Sequence, residues 1–395
     1  MMEKTKNEAE SDDLVQEVLP DVWRIEGFLS GNFWGRAPSS TTYVLRDEDK
    51  VYIIDPGTLP YCKKKILDLV DLYEKKGVGE VVMLITQGHF DHAANCDVVK
   101  ETGLPWKFYL PEEEIGTTRS MITDIMNDYE ELEKWEDVFS TEFPGNPLFE
   151  MTEKKSHRLT KNVMRAIVEE TVGHDDNHMV DEATILKPSS RITRQYGSVT
   201  LTGWELGRFF ISFDGSHSRG HVCVYDPKYK IIFSGDTTIE INPPFLYSSM
   251  DKLIDITDKY RTMAHEGLIV YTMDAHRSHD MNRVLKAKGV PVNQYELEMY
   301  TANSADSEAF FDFFCTYYKE MKKEILAAHR RVGRATIGEI VKELLKSDNE
   351  SVKFKASLKW PELPSRLDAA VAVVLRDAGA VPIEADGKIV IDPVG

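Results

Sequence analysis

An α/β layered fold is what this sequence predicts, and three observations carry that expectation. The chain has 395 residues, 42% hydrophobic and 29% charged, an ordinary globular balance with enough length for two or three domains and a large core. Aromatic and β-branched runs of strand length alternate with amphipathic helical stretches. Several of those apolar runs end directly on imidazoles or carboxylates, and the ends of strands are where sites gather in α/β sheets.

In chain order, residues 1–17 begin with the polar MMEKTKNEAESDD and read as a flexible N-terminus without the apolar stretch of a secretory signal. Residues 18–300 read as one α/β domain. DVWRIEGFL, TTYVLRD and KVYIIDPG are its first strands, punctuated by DEDK and DPG turns. LPYCKKKILDLVDLYEKKG has helical spacing and a glycine stop, and VVMLIT is a short buried strand. From about 111 to 190 the texture becomes helical and acidic, as in MITDIMNDYEELEKWEDVF and LTKNVMRAIVEETVG, which reads as an insertion. Strands resume at SVTLTGWELGRFFISFDG and KYKIIFSGDTT, followed by a helix near 249–266 and the strand-like GLIVYTMD. Residues 301–395 read as a helical C-terminal domain: one long helix, two shorter ones, and a hairpin turning at Asp386-Gly387. That order is the order of a winged-helix module.

The formal net charge of −18 repels phosphate backbones and anionic lipid, so neither nucleic acid nor membrane is expected as a partner. No window approaches a membrane span of roughly 18 apolar residues. Cys62, Cys96, Cys223 and Cys315 are scattered, with no CxxC pair, so neither a disulfide framework nor a thiolate zinc finger is expected and a reducing cytoplasm fits best.

The metal-capable residues at strand ends form the main functional signal. VVMLIT leads into ITQGHFDHAANC, which holds His89, Asp91 and His92; FFISFDGS leads to His217; KIIFSG leads to Asp236; GLIVYTMDA leads to His276, with His279 three residues on. Mixed imidazole and carboxylate suit zinc, iron or manganese without choosing among them. A lone histidine is more often packed or solvent-facing than a ligand, and His157, His265 and His329 are expected to be just that. Asp236 alone could be a simple turn aspartate, and His221 reads either as a residue supporting or in reserve for the ligand set or as a strand histidine facing solvent. His174 and His178 in the acidic insertion read as a solvated helix end before they read as a second metal pair. The joint occurrence of the main set, in order, is what chance would rarely supply.

Taken together, these segments resemble the metallo-β-lactamase superfamily. Its first motif, Thr-His-x-His-x-Asp-His, is matched by Thr86-Gln87-Gly88-His89-Phe90-Asp91-His92; its Gly-His-Ser/Thr-x-Gly turn by His217-Ser218-Arg219-Gly220; and its Gly-Asp-Thr turn by Gly235-Asp236-Thr237. His276 is the best match for the last histidine, with His279 in reserve, and Asp55 in IIDPG matches an acidic residue that supports the ligands from behind. The likeness covers roughly residues 18–110 and 195–285. It implies an αββα sandwich with two divalent metal ions at one edge of the sheets, zinc first, iron or manganese as alternatives. Gln87, His89 and His217 would surround one ion, Asp91, His92 and His276 the other, with Asp236 bridging. The implied chemistry is hydrolysis by a metal-activated hydroxide, with Asp91 and Asp236 as catalytic residues.

Gln87 stands where the family has its first histidine. A neutral amide oxygen is a weaker zinc ligand than imidazole, and some relatives in the family work with glutamine there. The substitution is expected to leave the Asp91/His92/His276 side tighter and to tilt metal choice towards harder ions. The tail, with 13 Lys and Arg against 11 Asp and Glu from residue 321 on, is expected to serve packing or homodimerisation rather than DNA reading. FLSGNFWGRAP, with Phe33 and Trp34, reads equally as a substrate loop and as a hairpin tip. The function expected is a cytoplasmic metal-dependent hydrolase of a small organic ester, thioester, lactone or amide. The alternatives, in order, are a di-iron oxidoreductase on the same fold, a nucleic-acid phosphodiesterase, and a metal-binding scaffold.

Overall fold

The structure, a computed structural model, describes residues 14–27, 39–135, 165, 169, 176–276, 301, 303–357 and 367–394. Phe33, Trp34, His157, His174 and His279 lie outside the described residues. Strands β1 (Val15–Leu19), β2 (Val22–Ile25), β3 (Thr42–Asp47), β4 (Lys50–Ile54), β5 (Glu80–Leu84), β6 (Trp106–Pro111) and β7 (Thr184–Leu186) form one seven-stranded sheet in chain order. It is antiparallel from β1 to β4 and parallel from β4 to β7. The helix Pro60–Glu74 makes the first parallel crossover. The second sheet has the order β13 (Tyr271–Met273), β12 (Ile231–Phe233), β11 (Val222–Asp226), β10 (Phe209–Phe213), β9 (Val199–Leu206), β8 (Ile192–Tyr196). Only its β12–β13 pairing is parallel.

Side-chain alternation assigns the layers. On β4, Tyr52 and Ile54 point into the layer between the sheets, while Val51 and Ile53 point to the helix side; on β5, Val82 and Leu84 divide from Val81 and Met83 in the same way. Both faces are therefore covered, which is why VVML is a continuous apolar run rather than an alternating one. Trp204, Phe209, Ile211, Val222, Val224 and Phe233 fill the inter-sheet layer from the opposite sheet. The outer face of that sheet, with Phe210, Cys223, Tyr225 and Ile232, joins one core with the helices Met250–His265 and Ser304–Val332. The result is helix, sheet, sheet, helix.

The stretch read as a helical insertion includes the helix Met121–Leu132, but Thr184–Leu186 returns as a strand and pairs with β6. β1, β6 and β8 were not anticipated: β1 begins at Val15, inside the stretch read as a flexible N-terminus, where it pairs with β2, and β8, ITRQY, lies mostly exposed and lacks an apolar run. GLIVYTMD shortens to a strand over Tyr271–Met273. In the C-terminal region, Asn303 caps the helix Ser304–Val332, and a reciprocal Thr336–Glu339 box caps Ile337–Leu344. Helices Glu350–Ser357 and Leu367–Asp377 follow, then the hairpin β14 (Pro382–Ala385) and β15 (Lys388–Ile391). Its turn residues Asp386 and Gly387 have φ 52° and 71°, as a two-residue turn matching strand twist requires. Among the described residues, no helix is long and apolar enough to cross a membrane.

Candidate metal centre

The centre starts from a carboxylate at the end of β4. Asp55 adopts φ 53°, a left-handed conformation that costs a non-glycine residue free energy. In that conformation it accepts hydrogen bonds from Thr86 N (2.6 Å) and Thr86 Oγ1 (2.7 Å), which ties the ends of β4 and β5 together. Its Oδ2 also lies 2.9 Å from Nδ1 of His92. A carboxylate only accepts, so Nδ1 of His92 carries a proton and Nε2 is turned inward.

Four separate loops deliver the remaining groups. His89 precedes the short helix Phe90–Ala93, which carries Asp91 and His92 on one turn. His217 follows β10, Asp236 sits in the 3-10 turn Gly235–Thr238 after β12, and His276 follows β13. Gly235 has φ 50°, and a Cβ there would meet Nε2 of His221 at 2.5 Å, so the turn demands glycine. Gln87, His89, Asp91, His92, His217, Asp236 and His276 are all buried.

These side chains converge. Nε2 of His276 lies 3.1 Å from Asp91 Oδ2, 3.3 Å from His92 Nε2 and 3.4 Å from Asp236 Oδ1. Nε2 of His92 lies 3.4 Å from Asp236 Oδ2 and 3.9 Å from Asp91 Oδ2. Ligands at zinc distances of about 2.0–2.1 Å sit about 3.3 Å apart in a tetrahedron, so this donor set has the spacing a divalent ion needs. On the other side, Nε2 of His217 is 3.3 Å from Asp236 Oδ2, and donor atoms of His89, His217 and Asp236 lie within 4.8 Å of one another. Gln87 occupies the space between: its Nε2 is 2.5 Å from Asp236 Oδ2 and 2.7 Å from His92 Nε2. Gln87 Oε1, His217 Nε2 and Asp236 Oδ1 are buried without a hydrogen-bond partner. Unpaired buried acceptors are costly, and a cation is the kind of partner that would satisfy them. The residues therefore fit a divalent metal.

Protonation divides the cluster. Burial and the neighbouring His217 push His89 down to about 3, and burial pushes His217 down to about 4. Burial is the largest single influence on His92 and His276 and acts the same way, but the neighbouring carboxylates together outweigh it, Asp236 first, with Asp55 and Asp91 at His92 and Asp91 at His276; both are raised. Burial alone would raise the Asp91 carboxyl; His92 and His276 overcome it and hold Asp91 down to about 2. Asp236 is likewise held well below the ordinary carboxylate range by His92, His276 and His217, against the push of burial.

Several supporting residues escaped the sequence reading. Glu114 is buried and accepts from Gly88 N (2.7 Å), Ser218 Oγ (2.8 Å) and Gly220 N, clamping the His89 loop to the His217 loop. A Cβ at Gly88 would meet Thr118 and Glu114 at 2.6–2.9 Å, so that glycine lets the clamp close. Tyr247 shares a 2.7 Å hydrogen bond with Nε2 of His89 and stacks on Phe245, whose ring lies 4.8 Å from that of His89. His221, by contrast, was among the residues expected in support or reserve; it is buried rather than solvent-facing, with Nδ1 paired to Asp214 at 2.9 Å and Nε2 accepting from Asp236 N at 3.0 Å. Asp214, His221 and Cys223 form a further donor cluster, but it is closed by its own hydrogen bonds and supports the Asp236 turn. His178 and His265 are exposed and paired with carboxylates, and His329 is packed against Ile391 O.

The C-terminal helices reach the same loops. Arg376 donates to Leu246 O and Ser248 O, Asp377 accepts from Ser249 Oγ at 3.0 Å, and Tyr317 donates to Glu240 O at 3.0 Å. The segment carrying Asp236, Phe245 and Tyr247 is thus held from outside the sandwich.

Comparison with known proteins agrees with this architecture. The family model of the metallo-beta-lactamase superfamily matches residues 35–277. A beta-lactamase domain protein from Burkholderia ambifaria is similar in structure, with a TM-score of 0.54 at 13% identity, covering 96% of this chain and 93% of its own. The stereoselective inverting sec-alkylsulfatase Pisa1 from Pseudomonas sp. aligns with a TM-score of 0.50 at 12% identity, over 92% of this chain and 50% of its own. At such identities the likeness concerns the fold. No curated protein matches the sequence.

Proposed function

Since the chain belongs to the metallo-β-lactamase superfamily, we propose that it is a metal-dependent hydrolase of a small organic molecule, acting on an ester, thioester, lactone or amide bond. The observation that carries this reading is the convergence of Asp91 Oδ2, His92 Nε2, His276 Nε2 and Asp236 at 3.1–3.9 Å spacings, with the far nitrogen of His92 anchored by Asp55.

Asp91, His92 and His276 would hold one divalent ion, His89 and His217 a second with Gln87 beside them, and Asp236 would serve both. When bound, the metal supplies a Lewis acid for the scissile carbonyl and brings the pKa of a water towards neutrality. The residues of the chain do the positioning. Asp91, ionised at neutral pH, offers an acceptor for a proton of the reacting water. Asp55 and Glu114 keep the loops from relaxing away from that arrangement. Phe245 and Tyr247 give a half-buried aromatic wall beside His89, suited to the apolar part of a substrate.

The test is turnover of a panel of model esters, thioesters, lactones and amides by the full chain, loaded with zinc and then stripped by chelator. Hydrolysis that disappears with the metal and returns on reloading supports the reading. Turnover indifferent to chelator and to Asp236→Ala, or none across the panel when zinc is bound, would overturn it.

A further inference from the structure

Asn242 lies in the loop after Asp236 and makes a set of contacts that fixes more than its own position. Its Nδ2 is 2.6 Å from Asp236 O and 3.3 Å from Thr237 O. Both are backbone carbonyls, which only accept, so the amide nitrogen must face them and the amide cannot be flipped. Oδ1 is thereby turned to His217 Nδ1, at 2.6 Å. An amide oxygen also only accepts, so that nitrogen of His217 carries the proton. Nε2 of His217 is left with its lone pair, buried without a hydrogen-bond partner, 3.3 Å from Asp236 Oδ2. Without this constraint the opposite tautomer would be preferred, because an Nε2–H could donate to that carboxylate.

The constraint extends into the C-terminal helices. Tyr318, in the helix Ser304–Val332, is fully buried. Its hydroxyl donates to Thr237 O at 2.8 Å, which frees its oxygen to accept from Asn242 Nδ2 at 3.2 Å, across 76 residues of sequence. Nζ of Lys355 donates to Asn242 O at 3.2 Å and holds the backbone of the same residue.

We propose that Asn242 is a positioning residue that holds His217 in the Nδ1–H tautomer, and that Tyr318 of the C-terminal helix locks Asn242 in the orientation that does so. The side chain that prepares a candidate ligand of the sandwich is thus itself held by a helix outside the sandwich. The significance for metal binding rests on the metal-centre reading above; the tautomer does not.

The experiment is nitrogen-15 NMR of the imidazoles in the full chain, as purified and after metal removal, together with zinc affinity by chelator competition. Wild type should show the His217 proton on Nδ1 in both states. Asn242→Leu should move it to Nε2 in the metal-free chain and weaken zinc binding about 10- to 100-fold, the usual range when a residue behind a metal ligand is lost. Tyr318→Phe removes a single oxygen and keeps the test open if Asn242→Leu does not fold; it should mix the two tautomers and weaken zinc binding up to about 10-fold. A wild-type proton on Nε2 in the metal-free chain, or an unchanged tautomer and affinity in a folded variant, would overturn the proposal. If the tautomers behave as stated but wild type binds no zinc, the positioning role stands and the metal-centre reading fails.

Discussion

On one side of Asp236 stand His92 and His276 beside Asp91; on the other stand His89 and His217 beside Gln87. Burial is similar on both sides, and it favours neutral imidazole throughout. The first pair is nevertheless raised and the second lowered to about 3 and 4. Carboxylates make the difference. Asp55, Asp91 and Asp236 all act on His92, whereas the strongest interaction on His89 after burial is the like-charged His217. A buried dication needs anions for the same reason that a buried imidazolium does. On the metal-centre reading proposed above, the side with the raised histidines would be the stronger metal position, and it would discharge protons as metal enters. The Gln87 side offers the unpaired Gln87 Oε1 and His217 Nε2 but little countercharge of its own.

The largest effect is expected where the two sides meet. Asp236 approaches His92, His217, His276 and Gln87, so Asp236→Ala should cost both sides their metal and lower turnover by about two orders of magnitude or more, at least the upper end for loss of a supporting residue. Metal content and steady-state rates check this; retention of either would break the assignment. Next is Glu114, which clamps the His89 loop to the His217 loop. Glu114→Ala should weaken zinc binding about 10- to 100-fold, mainly on the Gln87 side. Titration showing an unaltered Gln87 side would exclude the clamp as a functional element.

The opposed titrations predict an unusual pH response of the metal-free chain. Groups held below the ordinary histidine value of about 6.5, His89 and His217, contribute stability above that pH that is lost as pH falls towards 4 and 3. Groups held above it, His92 and His276, contribute stability below about 6.5 that is lost as pH rises through their raised values. Tm should therefore decline on both sides of about pH 6.5, and His89→Gln should flatten only the acid limb. A change confined to the alkaline limb would reverse the assignment of the two pairs. The smallest expected effect is that of Gln87→His. Replacing the amide by imidazole should raise the affinity of the weaker side about 10-fold and leave the Asp91 side unchanged. Competition against a chelator measures both; identical binding by the two proteins would make Gln87 a bystander.

How much of this was legible in the sequence follows from where the information lies. The groups that converge at the centre stand at strand ends, each a few residues beyond an apolar run, so local reading found them. The α/β layering followed from the same runs and the αββα arrangement from the resemblance they carry, and the Asp386-Gly387 turn announced its hairpin because turn chemistry is local. The supporting residues were hidden because their partners are remote: Glu114 lies 104 residues from Ser218, and His89 lies 158 from Tyr247. A glutamate in an acidic stretch and a tyrosine in a turn carry no mark of such pairing. β7 escaped for the same reason, since three residues form a strand only when β6 is already there to pair with them.

The most direct measurement is zinc bound per chain at equilibrium, by elemental analysis after dialysis at limiting free zinc, for wild type, His89→Ala and His276→Ala. The expected result is one tightly held equivalent in wild type that survives His89→Ala and is lost in His276→Ala. Loss of that equivalent in His89→Ala with retention in His276→Ala, or no zinc in wild type, would contradict the division of the centre described above.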